Sequence, residues 1–357
     1  MFNLWLITPE LQPAGKLQAS KVTCVLRYAD TGTWTAQING EAATSSQIRP
    51  GCRVALRDDS GEVFSGPITT IDRSRLQIGV VNLNLSGKTD DIALEDRIVY
   101  PDPFRPVEAQ REDYYTDSGS AGEVIANLIM RNAGASALPE RVTPGLMVDR
   151  LADGPRAQVR ARFSPLREEI ASLERQHGLR VSTTYRLSDR RLHSTITTTT
   201  DRSRSMVLSQ RTGTLGESSV STTAPSATAV VLAGDGEGRN RRMMARSLDR
   251  ADWWGDRRVE EFKDRRDTSS DKELAEAWDK LVPDIIGSAA VTTNVRERPG
   301  QVFGRDYQLG DKVSISWEGT RFTDVVQAGQ ITWDSNGRSV SVTIGQRDAQ
   351  DSPTPPW

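Results

Sequence analysis

The feature that most constrains this chain is an alternating pattern written twice, once in each half. In the first copy Gly51 leads into a strand with Val54 and Leu56 on one face, and Ser60-Gly61 breaks the run. Val81, Leu83 and Leu85 then alternate with Asn82, Asn84 and Ser86 before Gly87. In the second copy Gly310 leads into Val313, Ile315 and Trp317, and Glu318-Gly319 breaks the run. Ala328-Gly-Gln-Ile-Thr-Trp333 follows, and Val340, Val342 and Ile344 alternate with Ser341 and Thr343 before Gly345. A period of two sends successive side chains to opposite sides of an extended backbone, so each copy specifies strands with one buried and one wet face. The expected fold is mainly β, with two related antiparallel barrels or sandwiches and α+β insertions between them.

The chain has 357 residues, more than one ordinary core accommodates, and suits two to four modules. With 36% hydrophobic and 26% charged residues it reads as globular, and no stretch resembles a membrane span. Met1-Phe-Asn-Leu-Trp-Leu-Ile-Thr8 is apolar but lacks a basic leader and runs into Pro9, so it is expected to supply the first strand rather than a secretory signal. A formal net charge of -2 removes a global electrostatic case for nucleic acid, although arginine clusters can act locally. Cys24 and Cys52 stand in strand-like surroundings and read as buried thiols rather than a disulfide, and no zinc spacing exists.

In chain order, Val22, Cys24 and Leu26 alternate with polar neighbours, and Asp30-Thr-Gly32 turns the chain toward Trp34, Ala36 and Ile38, a hairpin. Asp90 or Asp91 is placed to cap a helical turn holding Leu94, and Pro101, Pro103 and Pro106 end the first barrel, 1–105. An α+β insertion spans 106–200. There, Ser120 and Glu123 form a capping box for a helix ending at Gly134, and Ser164-Pro165 opens a second helix ending at Gly178. A hairpin around Ser188-Asp189-Arg190 follows. The second barrel is assigned to 201–245 and 300–348, with a small helical and mixed insertion at 246–299. In that insertion Ser270 and Glu273 cap a helix that buries Leu274, Ala277, Trp278 and Leu281 and stops at Pro283. Residues 349–357 read as a flexible tail.

Few residues invite chemistry. Gly234-Asp-Gly-Glu-Gly238 follows a strand, but Asp235 and Glu237 would repel a phosphate, so a tight turn is expected; the same two carboxylates lack the regular spacing of a calcium loop. His177 and His193 are the only histidines, and His177 falls at a helix C-terminus, where it favours the dipole. No Ser-His-Asp or Cys-His set can be nominated. Glu168, Glu169, Glu260 and Glu261 read as solvated faces rather than a glycan-cleaving pair. The site expectations are therefore no catalytic, cofactor-binding or metal-binding residues. The densest basic region, Arg239, Arg241, Arg242, Arg246, Arg257 and Arg258, interleaves with Asp249, Asp252, Asp256, Glu260 and Glu261. It is assigned to intersubunit pairing in preference to lining a channel for DNA. Trp253 and Trp254 are assigned as core or interface anchors.

Several of these stretches, in this order, resemble the baseplate-hub or minor tail proteins of siphophages, in particular the Gp37-like tail proteins of actinobacterial phages. The residues that carry the likeness include Ser65-Gly-Pro67; Asp90-Asp91 with Arg97-Ile-Val-Tyr-Pro-Asp-Pro103; Gly122-Glu-Val-Ile125; Pro144-Gly-Leu146; Gly234-Asp-Gly-Glu-Gly238; Trp254-Gly-Asp-Arg-Arg258; Asp264-Arg-Arg-Asp-Thr268; and Leu309-Gly-Asp311. The resemblance implies tail-tube-like barrels and a structural, non-enzymatic virion protein without cofactor. It further implies a homotrimeric hub at the tail tip, assembled in the host cytoplasm. Implied partners are the tail tube, a distal tail protein, the tape measure protein and other minor tail or receptor-binding proteins, with transient passage of phage DNA. Two barrels in each of three chains would offer six similar faces to a six-fold tube. The alternatives are a tail-tip peptidoglycan hydrolase and the hub of a contractile injection particle.

Overall fold

The computed structural model describes residues 2–59, 61–75, 81–248, 257–266, 268–317 and 320–346. The first unit supplies β1 (Asn3–Ile7), β2 (Pro13–Leu17), β3 (Ala19–Arg27), β4 (Thr33–Asn39), β5 (Arg53–Asp58), β6 (Gly61–Pro67), β7 (Thr70–Arg75) and β8 (Val81–Lys88), then the short α1 (Ile92–Glu95). An α+β module follows with β9 (Tyr115–Ser120), α2 (Ala121–Asn132), β10 (Leu146–Arg150), β11 (Arg156–Ala161), α3 (Leu166–His177), β12 (Leu179–Arg186) and β13 (Arg191–Thr198). The chain returns through β14 (Val207–Ser209) and β15 (Leu215–Thr223). It then forms a small module of β16 (Ala229–Ala233), β17 (Met243–Ser247), β18 (Glu260–Asp264) and α4 (Asp271–Ile285). It closes with β19 (Ser288–Val295), β20 (Lys312–Trp317), β21 (Thr320–Asp334) and β22 (Gly337–Gln346).

The two copies of the alternating pattern lie in one sheet. Its main path runs β15-β19-β22-β21-β3-β4-β8-β7, with β20 paired to the first part of β21 and β14 paired to β20. The central joint is the antiparallel pair β21 and β3, in which Ile331 faces Cys24 and Trp333 faces Val22. One hydrophobic core serves both units, taking Val22, Trp34, Ile38, Leu83 and Leu85 from the first and Val313, Ile331, Val340, Val342 and Ile344 from the second. Cys24 and Cys52 are free thiols in that core.

A four-stranded sheet, β2-β1-β5-β6, lies against this core and also against the α+β module. Leu4, Leu6, Val54 and Leu56 face the barrel core, whereas Ile7 and Ala55 belong to the core of the module. That second contact explains why Val54, Ala55 and Leu56 are all buried, although a strand with one wet face would bury only alternate residues. Close approach of β6 to β8 requires glycine: a Cβ on Gly66 would lie 2.0 Å from the Lys88 carbonyl oxygen and 2.8 Å from Trp34 Nε1.

Helix ends differ from the local expectations where tertiary partners compete. Ser120 accepts from the Glu123 amide as expected, but α2 ends at Asn132 with Ala133 at the C-cap, and Gly134 does not adopt the left-handed conformation. Ser164 does not cap α3; Pro165 holds that position without a side-chain bond, while Gly178 closes the helix with φ +61°. Asp91 holds the N-cap position of α1 without capping it. Ser270 and Glu273 form the full reciprocal capping box of α4, but that helix continues through position 283 to Ile285 because Ile285 and Ile286 bury in the small module's core. Leu274 and Leu281 are buried there, whereas Ala277 and Trp278 are half-buried.

Candidate assembly site

In a protein of this form the features that can act are edges, joints and exposed faces. The order of the long sheet makes its edges informative. β8 pairs with β4 and β7, and β22 pairs with β19 and β21. With β22 matched to β8 and β20 to β5, the path reads as two four-stranded units of the same order, β15-β19-β22-β21 followed by β3-β4-β8-β7. The units are joined head to tail. Among the described residues the outer strands β15 and β7 have one neighbour each in this path, and they correspond to the strands that meet at the centre, β3 and β21. Such edges present a row of unpaired backbone donors and acceptors.

The sheet face opposite the core is hydroxyl- and amide-rich. Thr35, Gln37, Asn84, Gln330 and Thr292 are exposed on it, and Thr23 with Thr332 and Thr292 with Thr343 form cross-strand hydroxyl contacts of 3.1 Å. Arg27 and Asp334 stand at strand ends, and Asp72 lies on the edge strand β7.

A second constellation fixes the α+β module to the first unit. β12 is the outer strand of the sheet β10-β13-β12, and its outward amides end on three side chains. Val181 N–H donates to Glu174 Oε1 at 2.6 Å, Thr183 N–H to Asp91 Oδ1 at 2.7 Å and Tyr185 N–H to Ser65 Oγ at 2.6 Å. Ser65 Oγ also donates to Asp90, whose other oxygen lies 3.2 Å from Arg53. Arg167 pairs with the fully buried Glu174 at 2.7 Å. Burial pushes the carboxyls of Asp90, Asp91 and Glu174 above their ordinary range, against the pull of Arg53 on the first and Arg167 on the other two. The motif residues Ser65 and Asp90-Asp91, separate in sequence, thus form one edge-capping device.

The basic region lies on the small module. Arg241 pairs with Asp264, Arg242 lies 3.6 Å from Asp235 and 3.0 Å from Asp271, and Arg258 pairs with Glu260 at 2.7 Å. Arg239, Arg246 and Arg257 are exposed. Trp253 and Trp254, with Asp249, Asp252 and Asp256, lie outside the described residues. The glycine-rich stretch is the β16–β17 connection, with Gly236 and Gly238 at positive φ, so it opens no phosphate-binding helix. Asp235 and Glu237 are exposed on that connection.

Most of the remaining titratable candidates are engaged. His177 is the last residue of α3, and the His193 ring bridges Asp149 at 2.9 Å and Asp189 at 2.7 Å. Glu169 lies 3.6 Å from Lys280, Glu260 pairs with Arg258 and Glu261 with Lys263, while Glu168 is in the first turn of α3. The sequence reading missed the β12 device because its donors and acceptors are far apart in the chain, and Asp90-Asp91 was accounted for locally as a cap for the turn that holds Leu94.

A search of curated proteins returns no match. Among solved structures the fold is similar to a tail protein from Neisseria meningitidis MC58, with 10% identity over 97% of this chain and 96% of that one and a TM-score of 0.58. It is also similar to a 43 kDa tail protein of prophage MuSo2 from Shewanella oneidensis, with 14% identity over 98% of this chain and 100% of that one and a TM-score of 0.59. The profile described as Siphovirus ReqiPepy6 Gp37-like protein matches residues 3–346, nearly the whole two-unit fold with both inserted modules. The chain belongs to that family of phage tail structural proteins.

Proposed function

We propose that this protein is the hub at the distal tip of a phage tail, in which three copies close a ring by pairing the free edge β7 of one copy with β15 of the next. The observation that carries this reading is the head-to-tail order of the two four-stranded units. A repeat whose internal joint uses the same strand types that remain open at its ends adds copies by the same contact, and a rotation that closes gives a ring. Three chains then supply six equivalent units, which suits a six-fold tube above and a three-fold tip below. The hydroxyl-rich sheet face would line the passage. The arginine-rich edge of the small module, with Trp253 and Trp254, is a proposed contact for neighbouring tail proteins. The paired state of Glu169, Glu260 and Glu261 supports a structural rather than hydrolytic role.

Light scattering over a concentration range tests the ring. The expected mass is three times 39.4 kDa, and Ser219→Lys, which puts a charge on an exposed position of the outer strand β15, should return the chain to monomer with unchanged circular dichroism. A wild-type monomer at every concentration would overturn self-closure. The incorporation of the protein at the tail tip is checked separately by labelling it in assembled virions.

A further inference from the structure

The three larger parts of the molecule meet around a cavity of about 230 Å³. Leu26 and Phe64 come from the first unit, Phe303 and Leu309 from the second, and Arg180 from β12 of the α+β module. Arg180 is half-buried, and its Nε is shut off from solvent without a hydrogen-bond partner. Arg338 lies on the same cavity. Its Nη atoms reach Glu297 and the Phe303 carbonyl, while its Nε is also buried and unbonded, 3.8 Å from Asp58.

The carboxylates that surround Arg180 are already committed. Asp311 accepts from Arg202 Nε and from the amides of Thr200 and Gln308. Glu174 holds Arg167 and the Val181 amide, and Asp91 holds the Thr183 amide and the Thr89 hydroxyl. Glu62, also on the cavity wall, lies 3.9 Å from Arg57. A guanidinium carries five donors in a planar fork, and burying it without a partner is costly unless something fills the fork. Its geometry matches an oxyanion, and partial exclusion of water from the fork strengthens such a contact. The volume is below that of pockets for drug-sized ligands, so it suits one anionic group.

We propose that this cavity is a receptor for a single oxyanion group, a phosphate or a carboxylate, held by Arg180 at the point where both β-units and the α+β module meet. The shared chemistry has two sources, a free inorganic ion or the tip of an acidic side chain from a neighbouring tail protein. Occupation would tie the three parts together, and this inference stands whether or not the chain forms a ring.

The test uses the full chain at constant ionic strength, with chloride exchanged for inorganic phosphate in one arm and for acetate in the other. In at least one arm the unfolding midpoint should rise with the logarithm of anion concentration, by ~2 °C at tens of millimolar. Arg180→Gln should abolish the response. Arg180→Lys, which keeps the charge but loses the fork, should weaken the apparent affinity about tenfold. A phosphate-only response points to the free ion, and an acetate response points to a side-chain carboxylate; either supports the receptor. Midpoints that match chloride in both arms for the wild-type chain, or an Arg180→Gln response equal to wild type, would overturn it.

Discussion

Where the α+β module meets the first β-unit, the amides of β12 end on Ser65, Asp91 and Glu174, and the charges that support them are buried. Where the small module meets the α+β module, Glu273 reaches Arg160 at 2.6 Å and Lys280 reaches Glu169 at 3.6 Å, with Arg160 and Lys280 about half exposed. The first joint is dry, so removing one partner strands another polar group. The second is wet, so water replaces either partner at little cost. The difference separates a joint suited to rigidity from one suited to adjustment.

The largest expected effect is at the dry joint. Arg167→Ala leaves Glu174 buried without its cation and should lower stability by about 3–5 kcal/mol, read as a shift in the urea midpoint with an unchanged slope. Gly66→Ala forces β6 away from the Lys88 carbonyl beside the same joint and should cost about 1–3 kcal/mol. A stability equal to wild type would show that the strand separation relaxes freely. Ser65→Ala deprives the Tyr185 amide of its acceptor and should cost about 1–3 kcal/mol, with hydrogen exchange at Tyr185 accelerating more than at neighbouring amides.

At the wet joint, Glu273→Gln should cost below about 1 kcal/mol globally, and the difference from wild type should shrink in high salt. The two joints also answer acid in opposite directions. Glu273 is held down to about 2, first by the Ser269 amide and then by Arg160, so its contribution is full above 4.5 and is lost as pH falls toward 2. Asp90, Asp91 and Glu174 are raised by burial; the folded chain binds their protons more readily than the unfolded chain, so acid titration adds to their stability contribution. Hydrogen exchange between pH 4.5 and 2 should therefore open α4 while the Thr183 and Tyr185 amides stay protected. Simultaneous opening would mean that the joints are not independent.

Local signals in the chain set local structure. Alternation in Val81–Gly87 and Val340–Gly345 specifies strands with one wet face, Gly178 ends its helix, and Ser270 with Glu273 starts α4. Each of these depends on neighbours a few residues apart. Ser65, Asp90 and Asp91 were legible as a recurring motif but not as a device, because the Thr183 amide that Asp91 accepts is 92 positions away. Tertiary structure alone decided that β5 would be covered on both faces, that Arg180 Nε would be shut off from solvent, and that β21 would join β3 across some 300 positions. The physical reason is that a period of two assigns faces but not neighbours. Which edge meets which, and which polar groups lose water, is settled only when the apolar faces of distant segments are packed together.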